Sequence, residues 1–271
     1  MNNNRIIFFL LALAFAVGCR PGNKGNQETE TQDGQEETHA LAFEQQSFSR
    51  QSASCEQDSS HCAQVEADYP LAVAGPEEAV RRINDTLNAY LRVSLAVFSP
   101  TPEDIPASLD EVASDFLEEY EAIRAEEEDM AGSWGVDLDG EVLYQSDALA
   151  SIRFSTFSYA GGAHPNSFDY LINFDARTGE VLRLADLVSD TARLKELAEV
   201  AFREAREMGP DESLSEAGFF WDGPFALPEN YAMTEDGLYL LYNPYEVAAY
   251  VMGPTEFSIS REQLAGLLKS Y

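Results

Sequence analysis

The hydrophobic pattern divides the chain into three stretches. Residues 6–17 form an unbroken apolar run, too short to span a bilayer comfortably. Residues 20–40 contain almost nothing apolar. They read as a disordered tether with an r.m.s. span of roughly 25 Å. From Leu41 onward apolar residues recur with two periods, and the order of those periods predicts the elements.

Residues 40–49 and 62–74 alternate in part and predict a hairpin. Residues 75–98 change to a helical period, with Ala79, Ile83, Leu87, Tyr90 and Leu91 on one face. Pro76 suits the first helical position, with Glu77 and Glu78 at the positive end of the dipole. A second helix starts where Ser108 and Glu111 have capping-box spacing, and Val112, Phe116, Tyr120 and Ile123 form its stripe. Residues 133–146 alternate again, with a break expected at Asp139-Gly140; residues 148–160 continue the sheet. Residues 167–175 and 180–188 predict two strands joined at 176–179, a turn signal. A third helix covers 191–208, with Leu194, Leu197, Ala201 and Phe202 on one side. The stretch 230–260 is β-rich and turns at Asp236-Gly237; a short helix capped by Ser260 follows. Strands and helices in blocks define an α+β fold. It is expected to hold antiparallel sheets with packed helices, in two adjoining subdomains at 41–160 and 161–271.

The N-terminus changes the setting. Arg5, the apolar run and small residues before Cys19 form an export signal over residues 1–18. The "AVGC" end resembles a lipobox, with Ala16 where that motif prefers leucine. Cys19 is therefore expected to carry lipid, and several acyl chains on one cysteine anchor firmly where one alone is marginal. The expected location is the exported side of the cell envelope, on the outer membrane, with residues 19–40 as the tether. Two cysteines then remain, Cys55 and Cys62, and an oxidising compartment favours a disulfide between them. A metal site would have to recruit His61 and Asp58 beside both thiolates, at a spacing that fits no common zinc pattern.

Charge narrows the partners. The net charge is -31, from 48 acidic and 17 basic residues, of which only Lys24, Lys195 and Lys269 are lysine. Such a surface excludes nucleic acid as a partner, since phosphate contacts need cations. It would steer a cationic partner toward itself. An acidic, lysine-poor surface also suits a saline habitat.

Candidate chemistry collects at 159–166, "YAGGAHPN". Gly161 and Gly162 permit positive φ at a sharp corner, and Pro165 fixes its exit. His39 falls in the tether, so His164 is the histidine available here. A hydrolase would need Ser158 as nucleophile, His164 as base and Asp169 as orienter, but no nucleophile elbow surrounds Ser158. A structural corner or the rim of a binding site needs fewer partners. Tyr239, Tyr242, Tyr245, Glu246 and Tyr250 lie in one later segment. Aromatic platforms with carboxylates suit sugars or protein partners, although half of these tyrosines belong in a core if the segment is a strand.

"YAGGAHPN", then Asn173, Asp175, Thr178 and Gly179 in an N-x-D-x-x-T-G pattern, then "DGLYLLYNPYEVAAYVMGP" occur in that order. This order resembles an exported paired module of unassigned function. The module is shared with the extracellular half of the anti-sigma factor RsiV and with the peptidoglycan deacetylase PdaC. The resemblance covers roughly residues 45–268. The deacetylase domain itself has no counterpart here, and neither do a spanning helix or a sigma-binding helix. The resemblance implies a non-catalytic binding module with no cofactor and no metal. Its partner would be a lysozyme-like cationic protein or a peptidoglycan fragment. The candidate binding residues are Tyr159, His164, Asn166, Tyr245, Glu246 and Tyr250.

Overall fold

The computed structural model describes residues 40–98, 104–126 and 132–270. The expected signal peptide, the lipidated Cys19, His39 and the tether up to residue 39 lie outside the described residues. The first described strand, β1, lies at Ala42–Gln51, where the pattern places it.

Five strands form one sheet in the order β1-β2-β3-β4-β5. The other four are β2 (Ala63–Ala74), β3 (Trp134–Gln145), β4 (Leu149–Tyr159) and β5 (Asn166–Asp175). β1 and β2 make the expected hairpin around the cysteine loop. β2 and β3, however, pair in parallel, which corrects the expectation of purely antiparallel sheets. The cause is the intervening helices, α1 (Glu77–Leu95) and α2 (Leu109–Glu126). A crossover of that length returns the chain to the same end of the sheet, so β3 starts in the direction of β2.

Both helices follow the predicted stripes. Ala79, Ile83, Leu87, Leu91 and Leu95 of α1 are buried, as are Val112, Ala113, Phe116 and Tyr120 of α2. The capping box is present: the Ser108 amide and hydroxyl donate to Glu111 Oε2, and the Glu111 amide donates to Ser108 Oγ at 3.2 Å. These faces cover one side of the sheet, around Val136, Leu138, Ile152, Phe154, Ile172 and Phe174.

The second sheet, in the order β6-β7-β8, holds Asn230–Met233, Gly237–Tyr242 and Thr255–Ser260. Helix α4 (Thr191–Ala205) lays Leu194, Ala198 and Phe202 on it, and Asp190 caps that helix by accepting from the Arg193 amide. Phe202 lies against Phe219, Phe220, Phe225, Tyr242 and Phe257 in a second apolar core.

Three local expectations are corrected. β3 runs straight through Asp139-Gly140. A Cβ on Gly140 would lie 2.8 Å from the Phe154 ring, so this glycine admits a neighbouring aromatic instead of a turn. Residues 180–188 are not a strand: Val181 makes a single bridge to Phe174, and short helix α3 (Leu184–Leu187) follows. The segment after Ser260 forms hydrogen-bonded turns and no regular helix, although the Ser260–Gln263 cap contacts are made. The expected division at 160/161 falls in the β4–β5 connection of the first sheet. The described residues form one compact unit with two large apolar cores and the smaller cluster of Leu171, Ala232 and Leu241.

The seam between the sheets joins this small apolar cluster to a set of buried polar side chains. β5 is the last strand of its sheet, and its open edge is closed by asparagine side chains. Asn243 acts as a peptide mimic toward Asp169: its Oδ1 accepts the Asp169 amide at 2.8 Å and its Nδ2 donates to the Asp169 carbonyl at 3.0 Å. Asn230 Oδ1 accepts the Leu171 amide. Asn173 Oδ1 accepts from Ser151 Oγ and the Met233 amide, while its Nδ2 donates to the Tyr231 carbonyl. All three asparagines are buried, so satisfied amides replace a strand ladder there.

Candidate binding site: an aromatic ledge and an acidic sheet face

Gly161 makes the 160–165 corner possible. Its φ is +78°, and a Cβ there would meet Trp134 Nε1 at 2.8 Å. Only glycine satisfies both demands without strain. Gly162 differs: its φ is not positive, and a Cβ on it would come no nearer than 3.9 Å, to the His164 carbonyl oxygen. The expectation of a structural glycine pair is therefore corrected to a single structural glycine.

The Pro165 carbonyl pins two rings. It accepts Tyr250 Oη at 2.7 Å and lies 2.9 Å from His164 Nδ1. A carbonyl only accepts, so the proton sits on Nδ1. The His164 ring then stacks on Tyr250, with centroids 3.9 Å apart and planes 20° from parallel. Tyr245 extends the row at 5.5 Å from Tyr250. Its φ is +72° and it is 56% exposed. A tyrosine held in the left-handed region costs of order 1–3 kcal/mol. Here that strain holds an apolar ring out in water.

Of the six candidate binding residues, the structure brings His164, Tyr245 and Tyr250 together. Glu246 follows Tyr245 in the chain, and its Oε1 accepts from Asn243 Nδ2 of the seam at 3.2 Å. Burial of its carboxyl end raises its pKa above the ordinary glutamate value, against the lowering effect of the Asn243 hydrogen bonds. Tyr159 and Asn166 stay at the ends of β4 and β5, and the Asn166 side chain bonds no described residue. Tyr242 is core, donating its hydroxyl to the Ala226 carbonyl.

The hydrolase arrangement is not assembled. Asp169 Oδ1 accepts from Arg153 Nε at 2.8 Å, and His164 Nδ1 is engaged by Pro165. Burial pulls the Arg153 pKa down, but the bond and charge of Asp169 outweigh it and the net shift is upward.

Cys55 and Cys62 are neighbours and stand here as free thiols. Cys55 Sγ is satisfied without one, by the Ala63 carbonyl at 3.5 Å and Ser52 Oγ at 3.4 Å. Burial, and then the hydrogen bond with Cys55, pushes the Cys62 thiol up to about 11. Asp58 and His61 pair with each other at 2.8 Å. Among the described residues no group of three His, Cys, Asp or Glu side chains is placed to hold a metal ion.

Sequence reasoning missed the face of the first sheet opposite the helices. Register aligns Ser49, Glu66, Asp137 and Phe157 across four strands, and Ser47, Asp68, Asp139 and Ser155 beside them. Glu66 thus faces Asp137, and Asp68 faces Asp139, along a groove of about 500 Å³. Like charges directly opposed across strands are destabilising. None of these four carboxylates joins a salt bridge among the described residues; Asp68 only accepts from Ser47 Oγ. The alternation of acids in β2 and β3 was visible, but their juxtaposition depended on the parallel pairing.

The fold and the ledge together define an α+β module whose two sheets are joined by polar side chains, with aromatics presented at the junction. Comparison with known proteins places that class more narrowly. Residues 56–167 match the family described as Deacetylase PdaC, and residues 185–262 match the family described as Protein of unknown function (DUF3298). The paired module expected from the motifs is therefore present. The chain is 25% identical over 141 residues to the peptidoglycan-N-acetylmuramic acid deacetylase PdaC of Bacillus subtilis, covering 49% of this chain and 29% of that protein. It thus spans less than a third of the length of that relative. Two crystal structures share the fold. A DUF3298-family member from Bacteroides fragilis superposes with a TM-score of 0.65 at 21% identity, covering 86% of this chain and 95% of that one. A DUF3298-family protein from Pseudomonas aeruginosa gives 0.58 at 23% identity, covering 86% and 96%.

Proposed function

We propose that the protein is a non-catalytic, peptidoglycan-associated accessory module of the cell envelope, anchored by lipid on Cys19, that grips glycan on the aromatic ledge. The observation that carries this reading is Tyr245, an exposed ring at φ +72° in line with Tyr250 and His164. Aromatic faces stack on the apolar faces of sugar rings, and Glu246 beside them offers an acceptor for hydroxyls. The similarity to a peptidoglycan deacetylase supports the substrate class. The test is co-sedimentation of the whole chain with purified peptidoglycan, repeated with Tyr245→Ala. The expected result is retention that falls about five- to tenfold in the variant. No retention, or equal retention of both proteins, rejects the reading.

A second reading rests on the opposed carboxylates of β2 and β3. A lysozyme-like cationic protein laid on that face would relieve their mutual repulsion. Such a complex should weaken as salt rises, whereas stacked sugar should hardly respond. Titration with a c-type lysozyme at two salt concentrations, against the double variant Asp68→Asn/Asp139→Asn, separates the two. Saturable binding lost in the variant favours the protein partner, and no binding removes it.

In an oxidising envelope Cys55 and Cys62 would close to a disulfide on loss of two hydrogens to the local oxidant, lowering the intact mass by about 2 Da.

A further inference from the structure

We propose that a cleft between the β3–β4 hairpin and the C-terminal segment is an anion site, taking a carboxylate carried on a short apolar body. The cleft holds about 340 Å³, the lower end of small-ligand pockets. Its floor is apolar, from buried Leu149, Leu187 and Met233. Its rim carries Tyr144, Arg261 and Lys269, and among the described residues no carboxylate lines it. That is unexpected in a chain of net charge -31. A smaller cavity beside α1 and α2 is lined by Asp104 and Asp115, and the groove on the first sheet by four acids.

Both cations are held in place by main-chain oxygens instead of by acids. Arg261 Nε donates to the Glu235 carbonyl at 2.6 Å and Nη2 to the Thr234 carbonyl at 2.8 Å. Its guanidinium carbon sits 5.4 Å from the centre of the Tyr144 ring. Nη1 bonds no described residue. Lys269 Nζ donates to the Ala185 carbonyl at 2.6 Å, leaving two further protons. Neither forms a salt bridge with a described carboxylate. Asp186 is the acid that feels the charge of Lys269, and it is already engaged by the amide and Nε of Arg183. Two cations fixed before binding lose little freedom on taking an anion. A planar guanidinium suits a carboxylate, and the lysine adds a point charge. The apolar floor selects against a bare inorganic anion, which has nothing to bury there.

The cleft shares no residue with the ledge, so this inference stands or falls separately from the glycan reading. The test is calorimetric titration of the whole chain with two carboxylates, hexanoate and N-acetyl-D-alanyl-D-alanine, and with the amide of each. The expected result is saturable binding of at least one acid, weaker by about tenfold or more for its amide. Binding by hexanoate alone assigns an acyl source, by the dipeptide alone a peptide terminus, and by both a general carboxylate site. Lys269→Gln, an exposed position, should weaken binding about fivefold or more while the melting temperature holds; Arg261→Gln should do the same if it folds. No saturable binding of either acid overturns the proposal. So does equal binding of acid and amide, or unchanged affinity in a folded Lys269→Gln protein.

Discussion

The corner at 160–165 and the turn at 175–180 bracket the same strand, β5, and are equally conspicuous in the sequence. Their roles differ. In the second, Asp175 Oδ1 accepts the amides of Arg177 and Thr178, and the Gly179 amide returns to the Asp175 carbonyl. Gly179 has φ +72°, and a Cβ on it would strike the Ala79 carbonyl of α1 at 2.5 Å. The polar groups of that motif are turned onto the backbone. The first corner uses one glycine to shape the backbone and then presents His164 against Tyr250 at the surface. A motif marks where the backbone makes demands, and function is found in the side chains left over once those demands are met.

Substitutions can break this contrast. Gly179→Ala meets positive φ and a backbone clash together, so about 4 kcal/mol should be lost, a fall in melting temperature of about 10 °C. Gly161→Ala should cost about 2 kcal/mol, less because the Trp134 ring can give where a backbone cannot, and the tryptophan near-UV signal should change with it. Tyr250→Phe removes one hydrogen bond to Pro165, about 1 kcal/mol by chemical denaturation. Tyr245→Gly relieves the strained backbone and should gain up to about 1 kcal/mol while losing peptidoglycan retention, so stability and binding move in opposite directions. Gly162→Ala should stay within about 0.5 kcal/mol of the parent.

The smallest effect is one of pH. Glu246 has a raised pKa in the folded protein. Its contribution is therefore fully present below the ordinary glutamate value of 4.5 and is lost as pH rises through the folded pKa. Glu246→Gln should flatten that slope in stability measured from pH 4 upward, and an unchanged slope would assign it to another acid.

Much of the fold was legible because local pattern and burial agree. Ile83, Leu87 and Leu91 on α1, the Ser108–Glu111 cap and the alternation of β2 could be read from the sequence and lie as expected. The errors arose where tertiary context overrides a local signal. Asp139-Gly140 has the composition of a turn, yet Gly140 is there to admit the Phe154 ring. The parallel pairing of β2 with β3 is set by a crossover whose direction no local period encodes. Half of the site was visible, since His164, Tyr245 and Tyr250 were singled out and do meet. Asn230 and Asn243 were missed because an asparagine among apolar residues looks like a strand end; only the β5 edge beside them reveals what they pair with.

Those asparagines have a consequence for how the module can be divided. The two family matches end and begin on either side of the seam, at 167 and 185, which invites expression of each part alone. A fragment stopping after β5 would leave the amides of Asp169 and Leu171 without Asn243 and Asn230, on a ten-residue strand that carries Phe168, Leu171, Ile172 and Phe174. Such an edge recruits strands from other molecules. The isolated N-terminal part should therefore self-associate more than the whole chain, measured by light scattering at matched concentration, with the second sheet acting toward the first as a built-in guard against polymerisation.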